Sequence, residues 1–71
     1  MSRYLVVIEA TATGYSAYSP DLPGCVATGR TRAEVEHQMQ EAIEFHIDGL
    51  RSAGEKIPQP RSEAAYCEIG A

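Results

Sequence analysis

The corner formed by Asp21, Leu22, Pro23 and Gly24 restricts the fold more than any other part of the sequence. It predicts a type II turn, because Pro23 fixes φ at the second position and Gly24 accepts the positive φ of the third. We expect Asp21 to bond backbone amides locally and to initiate the bend. Leu22 stands between two prolines and is expected to tuck beneath a sheet.

Runs that favour strands lie on both sides of this corner. Residues 3–11 are rich in apolar and β-branched side chains, and a Thr-Gly turn and residues 15–19 complete a hairpin with them. Residues 25–29 leave the corner as a third strand. The first strand is apolar on both faces, which is typical of a central strand.

A capped helix follows the third strand. Thr31 and Glu34 form a capping box, in which the hydroxyl accepts from the Glu34 amide and the carboxylate reaches back to the Thr31 amide. The helix is predicted over residues 32–53, with Gly54 in the left-handed conformation just beyond its end. Its apolar stripe, at spacings of three and four, comprises Val35, Met39, Ala42, Ile43, His46, Ile47 and Leu50.

Residues 64–69 predict a fourth strand after a proline-rich link. A β-β-β-α-β chain with a right-handed crossover places this strand parallel to the first, giving the sheet order 3-2-1-4. The predicted fold is therefore α+β: a four-stranded mixed sheet with one helix on one face. Nothing in the sequence is left to cover the other face.

The length and charge limit the functions that such a fold can have. A chain of 71 residues predicts one domain, covering residues 1–71, and its net charge of -4 argues against direct binding to nucleic acid. The two cysteines and two histidines lack the spacing of a zinc site, and no cofactor is expected. No signal peptide or membrane-length apolar run is evident, so we expect a cytoplasmic protein without membrane contact.

The run YSPDLPGCVATGRTRAEVEHQMQEAIEFHIDGL, followed by GEKIPQP, resembles the N-terminal domain of the HicB-like antitoxins. The resemblance covers residues 4–60 and depends on the Pro-Asp-Leu-Pro-Gly-Cys run, the capped helix, and the Gly and Pro beyond it. It implies a partial ribonuclease-H-like fold. It also implies binding and steric inhibition of a small, basic HicA-type toxin that cleaves messenger RNA.

This resemblance gives the acidic side of the helix a candidate role in toxin docking. The acids concerned are Glu34, Glu41, Glu44 and Asp48. Many family members carry a C-terminal DNA-binding segment, but the sequence ends at Ala71, so we expect no operator binding. The alternative is an orphan homo-oligomeric interaction or regulatory module that has the fold and no toxin.

An enzymatic alternative is a metal-dependent nuclease, since ribonuclease-H-like enzymes hold two Mg²⁺ ions with carboxylates. Glu9 and Glu68, at the ends of two neighbouring strands, are the candidate ligands, joined by Glu34 or Glu41. We expect these acids to be solvated charges instead, and the protein not to be an enzyme. His46 and Cys25 are interpreted as packing residues.

Self-association is the final expectation. The core of so short a chain is thin, one sheet face lacks cover, and a four-stranded sheet has two open edges. We therefore predict a homo-oligomer, as a dimer or tetramer.

Overall fold

A computed structural model describes residues 2–70 of the chain. The chain forms three strands and one helix: β1 (Val7–Ala10), β2 (Tyr15–Tyr18), β3 (Val26–Gly29) and α1 (Arg32–Ser52). The predicted α+β class and the antiparallel hairpin are confirmed.

The sheet is antiparallel throughout, with the order β1-β2-β3. Its register places Ile8, Ala17 and Ala27 in one row across the strands, and this row packs in or against the core under α1. The prediction that the first strand is central was wrong: β2 is central and β1 is an edge strand.

The predicted fourth strand at residues 64–69 does not form in the described part of the chain, so the predicted order 3-2-1-4 was wrong for one chain. Residues 63–70 are exposed and have no ladder partner among the described residues. A strand needs a partner edge as well as strand-forming residues. The two alanines and the glutamate of residues 64–69 have a weak intrinsic preference for β-strands.

The corner has the backbone of a type II turn. The Cys25 amide donates to the Leu22 carbonyl at 3.1 Å, and Gly24 has φ of 82°. Leu22 is fully buried beneath the sheet. Asp21 does not bond the corner's own amides, contrary to expectation, because its carboxylate is bonded to residues 40 and 41 positions further along the chain.

Both ends of α1 are capped. The Glu34 amide donates to Thr31 Oγ1 at 3.0 Å, while the Glu34 carboxylate accepts from the Arg30 amide at 3.1 Å, one residue earlier than predicted. Thr31 is extended, so successive amides point to opposite sides, and it is the Arg30 amide that meets the carboxylate. At the other end, Gly54 has φ of 70° and completes a Schellman motif.

The core lies between the sheet, the corner and the first half of α1. Its fully or almost fully buried apolar side chains are Ala17, Leu22, Cys25, Val35 and Met39. The helix approaches the sheet closely at Gly29, where a Cβ atom would lie 2.7 Å from the Val35 amide nitrogen. This glycine therefore sets the distance between α1 and β3.

Candidate functional site

The acidic face of α1 is defined by Glu34, Glu41, Glu44 and Asp48. All four side chains are exposed. Their spacings of seven, three and four residues place them on one side of a helix with 3.6 residues per turn. The structure thus places the predicted docking acids on one side of α1, opposite the buried stripe.

Each of these acids has one local partner. Glu34 accepts from the Arg30 amide, and Glu44 accepts from a glutamine amide one turn earlier at 3.0 Å. Glu41 lies 3.7 Å from a histidine nitrogen, and Asp48 lies 3.6 Å from an Arg51 guanidinium nitrogen. Such exposed pairs are weak, so a partner's cations can replace them at little cost.

An exposed aromatic ring, Phe45, lies at the border of the acidic face, and sequence reasoning missed it. Its exposed fraction is 82%, and it follows Glu44 directly on the helix. Phe45 and Val26, which is 65% exposed, border one groove between α1 and β3. The signal was present in the sequence: this phenylalanine falls outside the apolar stripe, among acids.

The sheet face opposite α1 also presents apolar side chains. The register aligns Val7, Tyr18 and Val26 across all three strands on this face. Tyr18 and Val26 are among the exposed large apolar residues of the described chain. Val7, on the same face, is half-buried.

The Asp21 clamp, formed by Asp21, Arg61 and Ser62, ties the C-terminal link to the corner. The Asp21 carboxylate accepts from the Arg61 and Ser62 amides, each at 2.9 Å, and from the Ser62 hydroxyl at 2.8 Å. These bonds, the Ser62 amide foremost, lower the pKa of Asp21 from its ordinary value of 3.8. Sequence reasoning could not place this contact, because Arg61 and Ser62 lie 40 and 41 residues beyond Asp21 in the sequence.

The candidate nuclease acids are not arranged as predicted. Glu9 lies on β1, but Glu68 lies in the exposed C-terminal segment instead of on a neighbouring strand. Across residues 2–70 there is no group of three or more potential metal-binding side chains. Burial raises the pKa of the Cys25 thiol, which is in keeping with its place in the core. His46 is half-buried on α1.

No helix among the described residues has the length and apolar character needed to span a membrane.

Comparison with known proteins places this geometry in a family. A protein of the rep-hol intergenic region of Haemophilus phage HP1 is 39% identical over 63 residues, which are 89% of this chain and 47% of the phage protein. A UPF0150 protein of Thermoplasma acidophilum is 37% identical over 62 residues, which are 86% of this chain and 90% of that protein. The chain thus spans about half of the phage protein and most of the archaeal one.

A solved structure is also similar. A chain described as "HicA3 and HicB3 toxin-antitoxin complex" superposes with a TM-score of 0.73 and 33% identity, covering 84% of this chain and 70% of that chain. The family described as "HicB_like antitoxin of bacterial toxin-antitoxin system" matches residues 4–68. The chain therefore belongs to the HicB-like antitoxin family.

Proposed function

We propose that the protein is an antitoxin that binds a small, basic HicA-type toxin and inhibits it sterically, by covering the surface with which the toxin cleaves messenger RNA. Membership of the HicB-like antitoxin family and similarity to a chain of a solved toxin–antitoxin complex support this role. The protein acts by binding and has no catalytic activity of its own.

The observation that carries this proposal is the acidic face of α1 with the exposed ring of Phe45 at its border. Interfaces commonly combine a central aromatic anchor with a polar rim. Here Phe45 supplies an exposed ring, and Glu41, Glu44 and Asp48 lie within four residues of it along the helix. A basic partner with an apolar pocket complements both features.

Electrostatics give this surface a second function. The chain has a net charge of -4, and the acidic face concentrates four carboxylates on one side of α1. Exposed charges of opposite sign accelerate encounter between partners, and this effect weakens as salt is added. We expect the acids to set the association rate and Phe45 to set the lifetime of the complex.

The test is binding and inhibition with a purified HicA-type toxin. The charge-reversed variant Glu41→Lys/Glu44→Lys is expected to slow association at least tenfold at low salt and to inhibit RNA cleavage less effectively. The control Glu36→Lys/Glu55→Lys makes the same change in net charge at exposed positions away from the acidic face. Equal binding by both variants would move the interface elsewhere, and no binding by the unaltered chain would overturn the proposal.

A further inference from the structure

The C-terminal segment, residues 64–70, projects from the rest of the chain. Every residue in it is exposed; Tyr66 is fully exposed and Ile69 is 84% exposed. The radius of gyration is 13.9 Å and the longest dimension 50 Å, whereas a compact chain of this length has a radius of gyration of about 11 Å. An aromatic and an aliphatic side chain are therefore exposed to water in a segment that forms neither helix nor strand.

Hydrogen bonds hold the residues just before this segment against the domain, so they determine where the segment leaves it. The Asp21 clamp holds Arg61 and Ser62, and the Tyr4 hydroxyl donates to the Pro58 carbonyl at 2.6 Å. Residues 62–64 share a groove with residues 3–6, which lead directly into β1. The segment thus leaves the domain from beside the strand that forms one edge of the sheet.

That edge is open. β1 pairs with β2 on one side, and no strand of the described chain lies on the other. Alternate amides and carbonyls of Val7–Ala10 therefore have no ladder partner on the outer side. An open edge beside an unpaired extended segment is the arrangement in which a strand is readily added.

We propose that residues 64–69 of one chain add as a strand to the β1 edge of a second copy, which returns its own segment in the same way. Each chain carries one projecting segment and one β1 edge beside which that segment leaves the domain, so a two-fold dimer satisfies both at once. Each sheet then has the order 3-2-1-4 that the sequence predicts, with the fourth strand supplied by the partner. Tyr66 and Ile69 leave water as the strand pairs.

A symmetric partner fits this surface better than a toxin does. The docking acids proposed for a basic partner lie on α1, whereas the large exposed side chains of this segment, Tyr66 and Ile69, are apolar. Every chain has one such segment and one β1 edge. The free backbone amides and carbonyls of the two can pair without any specific side-chain contact. This proposal is independent of the proposed antitoxin function.

Sedimentation equilibrium of the full chain tests the proposal. At low micromolar concentration we expect a mass twice the 7.7 kDa of one chain. In Ala65→Pro/Tyr66→Pro, adjacent prolines remove a ladder amide whichever alternate set faces β1, and the mass should fall to that of one chain. The control Ala65→Ser/Tyr66→Phe keeps both amides and should remain dimeric. Because the segment is exposed, neither variant disturbs the core.

A second measurement identifies the pairing surfaces. In an equimolar mixture of isotope-labelled and unlabelled chains, isotope-filtered NOEs should connect residues 64–69 of one chain with residues 7–10 of another. A chain that is monomeric at every concentration, a dimer that survives the prolines, or contacts from the segment to β3 would each overturn the proposal. Neither experiment contains a toxin, so their failure leaves the antitoxin proposal untouched.

Discussion

The corner and the C-terminal segment both contain prolines, yet they are held in different ways. The corner is fixed by burial, since Leu22 and Cys25 lie in the core and the turn is closed by its own backbone bond. The C-terminal link has no fully buried residue and is tied down by polar contacts at Asp21 and Tyr4, after which the segment is exposed. The fully buried apolar side chains of the described chain thus all lie between residues 17 and 39, and none lies in the C-terminal link.

Removing the buried side chain of the corner should have the largest effect. Leu22→Ala is expected to lower the free energy of unfolding by about 2–5 kcal/mol, because a fully buried leucine leaves a cavity. Denaturant unfolding followed by circular dichroism measures this. Phe45→Ala is the control, since its ring is 82% exposed and its loss should change stability by about 0.5 kcal/mol or less. Similar losses in both variants would show that the core is elsewhere.

The turn backbone should contribute less than the buried leucine. Gly24→Val is expected to cost about 1 kcal/mol or more, because a β-branched residue resists the φ of 82°. No atom lies within 4 Å of the added Cβ, so the cost is conformational and not a clash. The measurement is the denaturant midpoint.

Gly49→Ala provides a matched control for Gly24. Gly49 lies within α1, where an added Cβ also meets nothing within 4 Å, but its φ is ordinary. Alanine there should raise stability by about 0.5–1 kcal/mol. An unchanged midpoint for Gly24→Val, alongside a raised one for Gly49→Ala, would contradict the role of positive φ in the corner.

The same comparison explains what could be predicted from the sequence. The hairpin, the type II turn and the Thr31 cap depend on residues within a few positions of one another, so local chemistry was enough. The fourth strand depends on finding a partner edge, which the local sequence does not specify. The Asp21 clamp likewise joins Asp21 to residues that lie 40 and 41 positions further along the chain. Phe45 was missed because it falls outside the apolar stripe, although an aromatic ring next to acidic residues is a visible sequence signal.

Protonating the Asp21 clamp should have the smallest effect on global unfolding, because it releases only the C-terminal link. The pKa of Asp21 is lowered in the folded protein from 3.8, so the contribution of the ionised clamp is fully present above 3.8. It is lost as the pH falls through the lower, folded value. We therefore expect amide exchange at Arg61 and Ser62 to accelerate below pH 3.8, relative to the intrinsic rate, while exchange in the core changes less.

Asp21→Asn should abolish this acid transition and leave the Arg61 and Ser62 amides poorly protected at neutral pH, because a neutral amide oxygen is a weaker acceptor than a carboxylate. Asp48→Asn is the control: its carboxylate is exposed on α1 and paired only with Arg51, so the transition should persist. A midpoint at or above 3.8 in the unaltered chain, or full protection in Asp21→Asn, would contradict the clamp. Since the clamp directs the projecting segment, Asp21→Asn should also weaken dimerisation, whereas Asp48→Asn should not.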